Sequence, residues 1–259
     1  MVDGRKRARL DIALAQRKMT ASRSQSESWI KLGKVIVDGQ VIVKPGHFVG
    51  LNADIKLLAD VQYVSRAGLK LESVANILKI DFNDKVVLDV GSSTGGFTDY
   101  ALRHGAKKVY AVDVGTDQLH PDLRGDRRIE LLEKTGIRNV FATAADHLPS
   151  TVYYQLNDIP NIVLIDVSFI SLRDILPHIY SYLSDGKTQI VAMVKPQFEA
   201  GKDQTNKGII KNDSMRRQIL RDFEDWSRKY FVIVDKRDSD VAGAKGNQER
   251  FYLLHAINK

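Results

Sequence analysis

The amino-acid sequence predicts an α/β fold: a mostly parallel, seven-stranded sheet with an antiparallel last hairpin, preceded by a small α+β domain. Two observations predict it. From residue 85 onward, apolar runs typical of buried strands alternate with helical patterns, which builds a parallel sheet with helices on both faces. Residues 5–60 instead hold two short helical patterns and a hairpin signal. A length of 259 residues allows one medium domain and one small domain.

Two short helices and a hairpin are predicted in the small domain. The first helix follows from apolar residues at helical spacing, namely Leu10, Ala13 and Leu14. Ser22 begins a Ser-x-x-Gln capping box, which starts a second helix that ends at Gly33. The valine-rich strands Val35–Val37 and Val41–Val43 then flank Asp38-Gly39, a typical hairpin turn.

Basic residues concentrate in this segment. The chain has 39 Lys and Arg against 32 Asp and Glu, a net charge of +7. Residues 1–60 hold eleven basic and six acidic side chains, so they contribute +5 of that charge. A basic segment on an otherwise balanced protein indicates a polyanionic partner such as nucleic acid, with a merely solvated basic face as the alternative.

The same segment resembles a known RNA-binding domain. The matching stretches are Arg9-Leu10-Asp11, Ser22-Arg23 and residues 30–45. Over about 50 residues they resemble the S4 domain, so we expect residues 1–60 to be an S4 RNA-binding domain. The resemblance implies that backbone phosphates, whose contacts set register rather than sequence, are bound by Arg9, Arg23, Lys31 and Lys34.

The remaining elements are predicted in order. Residues 61–84 form a linker and a first helix ending near Leu78, and residues 85–259 form the second domain. Strands are predicted at Lys85–Val90, Lys107–Val112, Arg128–Leu132, Asn161–Asp166, Gln189–Val194, Tyr230–Val234 and Phe251–Ile257. Helices are predicted from Gly96 to Arg103 and over Ser171–Leu183 and Asp213–Lys229. The last two strands follow each other without a strong helix, which indicates an antiparallel hairpin.

A glycine-rich turn after the first strand of the second domain indicates a nucleoside pocket. Glycines let the backbone approach a ligand closely, and the N-terminus of the next helix favours a polar or anionic group. The second strand ends at Asp113, where a carboxylate is placed to accept both hydroxyls of a ribose. These features fit S-adenosylmethionine as well as NAD, but the turn lacks Gly-x-Gly-x-x-Gly, which disfavours NAD. Ordinary loop chemistry is the remaining alternative.

Four segments of the second domain resemble a known family. They are Ser65–Leu71, Leu88–Asp99, Leu164–Leu172 and Val194–Glu199. In this order they resemble the TlyA family, whose members join an S4 domain to an FtsJ-like methyltransferase domain and also carry the name haemolysin. The resemblance covers residues 5–257. It implies a Rossmann-like class I methyltransferase fold, S-adenosylmethionine as cofactor, and 2′-O-methylation of cytidine riboses in ribosomal RNA.

The resemblance also implies site residues. The catalytic Lys-Asp-Lys-Glu tetrad of the FtsJ-like group falls on Lys70, Asp166, Lys195 and Glu249. Cofactor contacts are expected from Gly91, Ser92, Ser93, Thr94, Gly95, Gly96, Asp113, Val114 and Asp166. A ribose hydroxyl is a poor acid, and lysine is a poor base at its ordinary pKa of roughly 10.4 unless burial or a second cation lowers it.

Each member of the tetrad therefore has an expected role. We expect Lys195 to be the base and Lys70 the second cation. Asp166 is expected to hold the Lys195 ammonium near the sulfonium of the cofactor. Glu249 is expected to orient one of the two lysines. Since transfer from a sulfonium is an in-line displacement, these groups supply position more than covalent help.

One turn departs from the family pattern. Where the family usually has Glu-Lys-Thr-Asn-x-Arg, this chain has glycine at the fourth position, in Glu133-Lys134-Thr135-Gly136-Ile137-Arg138. The turn is expected to border the adenine of the donor. Losing the Asn side chain is therefore expected to remove a hydrogen bond to the cofactor and to weaken its binding.

Composition excludes several other classes of site. The chain has no Cys, which excludes thiolate zinc sites, Fe–S clusters and disulfides, and its six His lack ligand spacing. No apolar run is long enough to span a bilayer and no signal peptide is visible, so we expect a cytoplasmic protein. Two other functions stay open: a non-catalytic RNA-binding factor for ribosome assembly, and a membrane-active haemolysin. Either free ribosomal RNA or an assembled subunit fits as partner.

Overall fold

The computed structural model describes most of the chain. The described residues are 7–20, 23–31, 33–58, 63–142, 154–201, 205–206, 208–210, 212–241, 243, 246–257 and 259. The predicted cap at Ser22 lies outside these residues. Two predicted phosphate ligands, Arg23 and Lys31, begin and end a described helix.

The N-terminal domain combines two helices with two small antiparallel sheets. Its elements are β1 (Arg7–Arg9), α1 (Leu10–Gln16), α2 (Arg23–Lys31), β2 (Val35–Val37), β3 (Gln40–Val41), β4 (Phe48–Gly50) and β5 (Ile55–Leu57). One sheet has the order β3-β2-β5, and β1 pairs with β4 in the other. The hairpin is confirmed: Asp38 and Gly39 have φ values of 48° and 82°, the positive values that a type I′ turn needs. The three-residue strands β1, β4 and β5 carry too short a pattern to be predicted.

The second domain contains the large sheet. Its helices are α3 (Arg66–Ala75), α4 (Gly96–Arg103), α5 (Leu176–Tyr182), α6 (Pro196–Glu199) and α7 (Asp213–Ser227). Its strands are β6 (Val86–Val90), β7 (Lys108–Val112), β8 (Ile129–Leu132), β9 (Val140–Phe141), β10 (Tyr154–Gln155), β11 (Ile162–Ile165), β12 (Gln189–Val194), β13 (Thr205–Asn206), β14 (Ile209–Ile210), β15 (Phe231–Asp238) and β16 (Arg250–Ala256).

The seven-stranded sheet is confirmed, with the order β15-β16-β12-β11-β6-β7-β8. The five strands from β12 to β8 pair in parallel, whereas β16 is antiparallel to both β12 and β15. Strand order reverses between β6 and β11, because the chain proceeds from β6 towards β8 on one side and from β11 towards β16 on the other. Ligands of open α/β sheets bind at such a switch point, beyond the carboxyl ends of the strands.

The predicted helix Ser171–Leu183 is wrong as one unit. Residues Leu172–Asp174 form a separate 3₁₀ turn, and α5 begins only at Leu176. Pro177 lies in the first turn of α5. Proline lacks the N–H that a continuous helix would need there and its ring would meet the preceding turn, so the helix restarts.

The last hairpin is longer than predicted. The strand predicted at Tyr230–Val234 continues as β15 to Asp238, with a register shift between Ile233 and Asp235. The added residues are charged and mostly exposed on an edge strand. Because these residues are not apolar, the apolar pattern of the sequence could not predict this end of the strand.

The two domains share buried contacts. Trp29 and Ile30 of α2 belong to the same apolar cluster as Tyr63 and Leu69. The Gln25 amide Nε2 donates to the carbonyl oxygen of Tyr63 at 2.7 Å. The N-terminal domain thus packs directly beside α3, the helix that carries Lys70.

Candidate active site

A cavity of about 440 Å³ opens at the carboxyl ends of β6, β7 and β11. Its volume lies in the range of small-molecule sites. Five residues of the predicted cofactor set line it: Gly91, Ser93, Asp113, Val114 and Asp166. The turn with the glycine in place of Asn also lines it, through Thr135, Gly136, Ile137 and Arg138. The cavity is therefore where the sequence places the nucleoside.

Asp113 is held rigidly at the edge of this cavity. Its Oδ2 accepts a hydrogen bond from the Ser93 backbone N–H at 2.8 Å, and its Oδ1 accepts one from the Gly115 N–H at 2.7 Å. A carboxylate oxygen has further lone pairs, so both oxygens can still accept from a ligand diol. Beside it, the Val114 side chain is 76% exposed and offers an apolar surface at the mouth of the cavity.

A second cavity of about 160 Å³ adjoins the first and shares Gly91, Ser93, Asp166 and Ser168 with it. The predicted residues Ser92, Thr94 and Lys195 line this smaller cavity. Gly95 and Gly96 line neither cavity. Gly95 precedes α4 with a φ of 89°, and a Cβ at Gly96 would come within 2.7 Å of the Ala67 Cβ. These two glycines thus serve the turn and the packing of α4.

At Gly91 the backbone after β6 lies very close to the backbone after β11. Gly91 has a φ of 81°, and a Cβ there would lie 2.7 Å from the carbonyl oxygen of Asp166. Any other residue would therefore strain the turn and push β6 away from the loop after β11. The glycine keeps the backbone of both strand ends at the wall of both cavities.

Asp89 is a candidate residue that the sequence analysis missed. It is buried within β6, it lines the smaller cavity, and Thr98 Oγ1 donates to its Oδ2 at 2.6 Å. Burial, with a smaller contribution from the charge of Asp166, raises the pKa of Asp89 to about 7. Within the described residues, its Oδ1 and the Ser92 Oγ have no hydrogen-bond partner. The signal in the sequence was an acid inside the apolar run Val86–Val90.

Lys195 and Asp166 form an ion pair at the wall of the smaller cavity. Lys195 follows β12 and Asp166 follows β11, and these strands are neighbours in the sheet. The Lys195 Nζ lies 2.5 Å from Asp166 Oδ1 and donates to Ser168 Oγ at 2.8 Å. An ammonium has three N–H groups, and the hydrogen bond to Ser168 uses one, so donors remain for Asp166 and for a ligand.

Lys70 and Glu249 form the second ion pair of the predicted tetrad. The Lys70 Nζ lies 2.5 Å from Glu249 Oε2, with side-chain exposures of 9% and 3%. Lys70 is therefore a buried helix residue and not a solvated surface charge. Neither residue is among those that line the two cavities. The structure thus arranges the tetrad as two ion pairs, with no hydrogen bond between the pairs among the described residues.

An exposed aromatic side chain lines the larger cavity together with Asp166 and Ser168. Phe169 lines the larger cavity, is 92% exposed and has a φ of 66°, a strained conformation for a bulky residue. Its ring packs against Phe198 of α6 with 5.3 Å between centroids. The buried Glu199 holds the turn, since its Oε2 accepts from Ser171 Oγ at 2.6 Å and its Oε1 from the Leu172 N–H at 2.7 Å.

The four predicted phosphate ligands form two groups on the N-terminal domain. Arg9 Nη2 and Arg23 Nε each lie 2.8 Å from Oδ2 of the buried Asp11. Lys31 and Lys34 are exposed near the other end of α2. The nine residues of α2 separate the two groups by roughly 12 Å along the helix axis. The two arginines therefore share one carboxylate, whereas the two lysines lie apart from them.

In the described ranges, no group of three or more His, Asp or Glu side chains is arranged to hold a metal ion. No helix in the same ranges has the length and hydropathy of a membrane span.

Comparison with known proteins identifies the family. The sequence matches the FtsJ-like methyltransferase family over residues 63–256 and the S4 domain over residues 8–55. It is 34% identical to the 16S/23S rRNA (cytidine-2′-O)-methyltransferase TlyA of Mycobacterium tuberculosis, over 96% of this chain and 90% of that protein. The chain belongs to the TlyA family. It is an FtsJ-like methyltransferase with an N-terminal S4 domain.

Other TlyA-family proteins bear a different name. Hemolysin A of Brachyspira hyodysenteriae is 38% identical, over 96% of this chain and 99% of that protein. A solved structure of a hemolysin-named protein from Streptococcus thermophilus is 35% identical, covers 98% of this chain and 90% of that one, and superimposes with a TM-score of 0.69. The whole two-domain arrangement is therefore shared with these proteins.

Proposed function

We propose that this TlyA-family methyltransferase transfers a methyl group from S-adenosylmethionine to the ribose 2′-hydroxyl of a cytidine in ribosomal RNA. The observation that carries the proposal is the Lys195–Asp166 pair on the wall of the smaller cavity, next to the nucleoside-sized one. The substrate follows from the M. tuberculosis relative, which is named for cytidine 2′-O-methylation of 16S and 23S rRNA.

The residues around the two cavities fit this cofactor. Asp113 offers two anchored oxygens for a ribose diol. Asp89 and Asp166 place carboxylates on the smaller cavity, which suits a ligand with positive charge. When bound, S-adenosylmethionine would supply the methyl group of its sulfonium to the acceptor oxygen, with S-adenosylhomocysteine as the leaving group.

The chain's own residues would position the acceptor and take its proton. The Lys195 ammonium of this ion pair would first release a proton to solvent, and its Nζ lone pair would then accept the 2′-hydroxyl proton. Asp166 then stabilises the new ammonium at 2.5 Å. Lys70, oriented by Glu249, is the second cation of the site. Arginine in place of Lys195 cannot do this work, because its side chain stays protonated.

The acceptor nucleotide would be held by both domains. Phe169 presents an open aromatic face beside Asp166 and Ser168, on which a base turned out of its stack can lie. Residues 1–60, as the S4 domain, would contact RNA phosphates through Arg9, Arg23, Lys31 and Lys34. Residues 61–84 would connect this domain to the methyltransferase domain of residues 85–259. Ribosomal RNA, free or in a subunit, is the proposed partner.

Replacing Lys195 tests the proposal. Purified wild type, Lys195→Ala and Lys195→Arg are incubated with ribosomal RNA and S-adenosylmethionine, and 2′-O-methylcytidine is measured by nucleoside mass spectrometry. We expect both variants to lose transfer by about 10²–10⁴-fold while calorimetric binding of S-adenosylmethionine changes little. Lys229→Ala, an exposed lysine on the surface, is the control. Near-normal turnover by Lys195→Ala removes Lys195 from the mechanism.

A further inference from the structure

Phe48 is an exposed aromatic residue in the S4 domain. Its side chain is 56% exposed, whereas its neighbour Val49 is 3% exposed and packs in the core. In the β1–β4 ladder, Phe48 pairs directly with Arg9. Directly opposed residues of an antiparallel pair project on the same face with Cβ atoms about 4.5–5.5 Å apart. The ring of Phe48 and the stem of Arg9 are therefore neighbours on the outer face.

The guanidinium groups of Arg9, the strand partner of Phe48, and of Arg23 are held in place by one carboxylate. Arg9 donates to Asp11 through Nε at 3.0 Å and Nη2 at 2.8 Å, and Arg23 donates through Nε at 2.8 Å. Asp11 itself is fully buried. A guanidinium has five N–H groups, so each arginine keeps donors for a further acceptor. Because the anchor is buried, these donors are oriented before any ligand arrives.

The loop that leads into β4 adds the positive charge of Lys44 and packs against the Arg9 guanidinium. Lys44 and His47 are exposed in this loop, which a hydrogen bond from the His47 N–H to the Lys44 carbonyl closes at 3.0 Å. Gly46 lies against the Arg9 guanidinium, since a Cβ there would be 3.4 Å from Nη1. An exposed aromatic ring next to an oriented arginine, with a second oriented arginine on the same carboxylate, matches a nucleotide, which offers a base to stack and a phosphate to bind.

We propose that this surface binds one unpaired nucleotide of the RNA, with its base stacked on Phe48 and its phosphate held by Arg9 and Arg23. The inference rests on the proposed RNA substrate and adds selection for a bulged or looped nucleotide by the S4 domain. Phosphate contacts alone carry no such information, because every duplex offers them. Stacking of a base on an aromatic side chain changes affinity by about 5- to 150-fold.

The probe is a pair of RNA hairpins, one with a single bulged 2-aminopurine and one fully paired. Each is titrated with full-length protein at constant salt, and binding is followed by 2-aminopurine fluorescence and by anisotropy. We expect wild type to prefer the bulged hairpin and to quench its fluorescence. Phe48→Ala and Phe48→Leu lose the preference by about 5- to 150-fold, whereas Phe48→Trp keeps it.

Two controls separate stacking from other causes. Val41 is also 56% exposed in the same domain, and Val41→Ala leaves the preference unchanged. Arg9→Ala weakens binding of both hairpins. If Phe48→Ala binds like wild type while Arg9→Ala loses affinity, the nucleobase site is overturned and RNA binding by the domain stands. Equal wild-type affinity for the two hairpins also overturns it, and no binding of either hairpin contradicts the proposed function as well.

Discussion

Asp11 shows how one buried carboxylate can govern a surface. Burial by itself raises the pKa of this group, but the hydrogen bonds from Arg9 and Arg23 outweigh burial and lower the pKa to about 2. The folded value lies below the ordinary 3.8, so the ion pairs stabilise the fold fully above about pH 4. This stabilisation is lost as the pH falls towards 2.

Asp11→Asn is expected to weaken RNA binding although it adds one unit of positive net charge. The amide cannot anchor two guanidinium groups, so their donors are no longer oriented, and the free energy of unfolding falls by about 1.5–3 kcal/mol. Salt-matched RNA titration and urea unfolding measure both effects. Asp54→Asn changes the net charge equally at a carboxylate that is 63% exposed. Equally tightened RNA binding by Asp11→Asn and Asp54→Asn would show that net charge alone decides.

Asp89 gives a prediction about pH. Burial is the main reason that its pKa is raised to about 7, so the carboxyl is largely protonated at pH 6 and ionised at pH 8. Only the ionised form attracts a positively charged ligand. We therefore expect S-adenosylmethionine affinity to rise several-fold from pH 6 to 7.5, and Asp89→Asn to bind weakly with no such rise. Isothermal calorimetry of S-adenosylmethionine binding at three pH values measures this. A wild-type affinity that does not depend on pH would contradict the role of Asp89 in binding the cofactor.

At the scale of elements, α3 and α4 pack where glycine is required. A Cβ at Gly96 would overlap Ser65 and come within 2.7 Å of the Ala67 Cβ, both at the start of α3. In Gly96→Ala the start of α3 therefore has to shift away from α4, and we expect this shift to disturb the pairing of Lys70 with Glu249. We expect a loss of about 1–3 kcal/mol in the free energy of unfolding and a matching loss of turnover.

Gly136→Ala is the control for Gly96→Ala. Gly136 has a φ of −74° and open space where its Cβ would be, although it lines the larger cavity. The unfolding free energy of the Gly136→Ala variant should differ from that of the wild type by less than about 0.5 kcal/mol. Thermal unfolding and methyl transfer are measured for both variants. Wild-type stability of Gly96→Ala would show that the two helices can shift apart freely.

At the scale of the whole molecule, the charge distribution predicts the salt dependence of RNA binding. Residues 1–60 carry most of the net charge of +7, and within them Arg23 begins α2 and Lys34 follows its end. Each lost phosphate contact reduces the slope of log affinity against log salt by about 0.7–0.9. We expect that reduction for Arg23→Ala and for Lys34→Ala, and none for Lys229→Ala in the other domain. Equal slopes for the three variants would argue for net charge rather than a surface.

Much of the large sheet could be predicted because its strands are continuous local patterns. The strand Gln189–Val194 is observed with its predicted bounds, since a central strand buried on both faces is an almost continuous apolar run. Patterns of two or three residues, such as β1 and β13, are too short to be recognised. The tetrad was identified by family resemblance, and each of its residues alone was ambiguous.

The sequence by itself determined the order of elements, the basic N-terminal segment and the residue types available for chemistry, because propensity, periodicity and charge are local properties. Only the tertiary structure decided which of them meet. Lys70 pairs with Glu249 because α3 lies beside the start of β16, and Lys195 pairs with Asp166 because β11 and β12 are neighbours. The same holds for the N-terminal domain. Folding brings Arg23 to Asp11, and strand pairing brings Arg9 opposite Phe48.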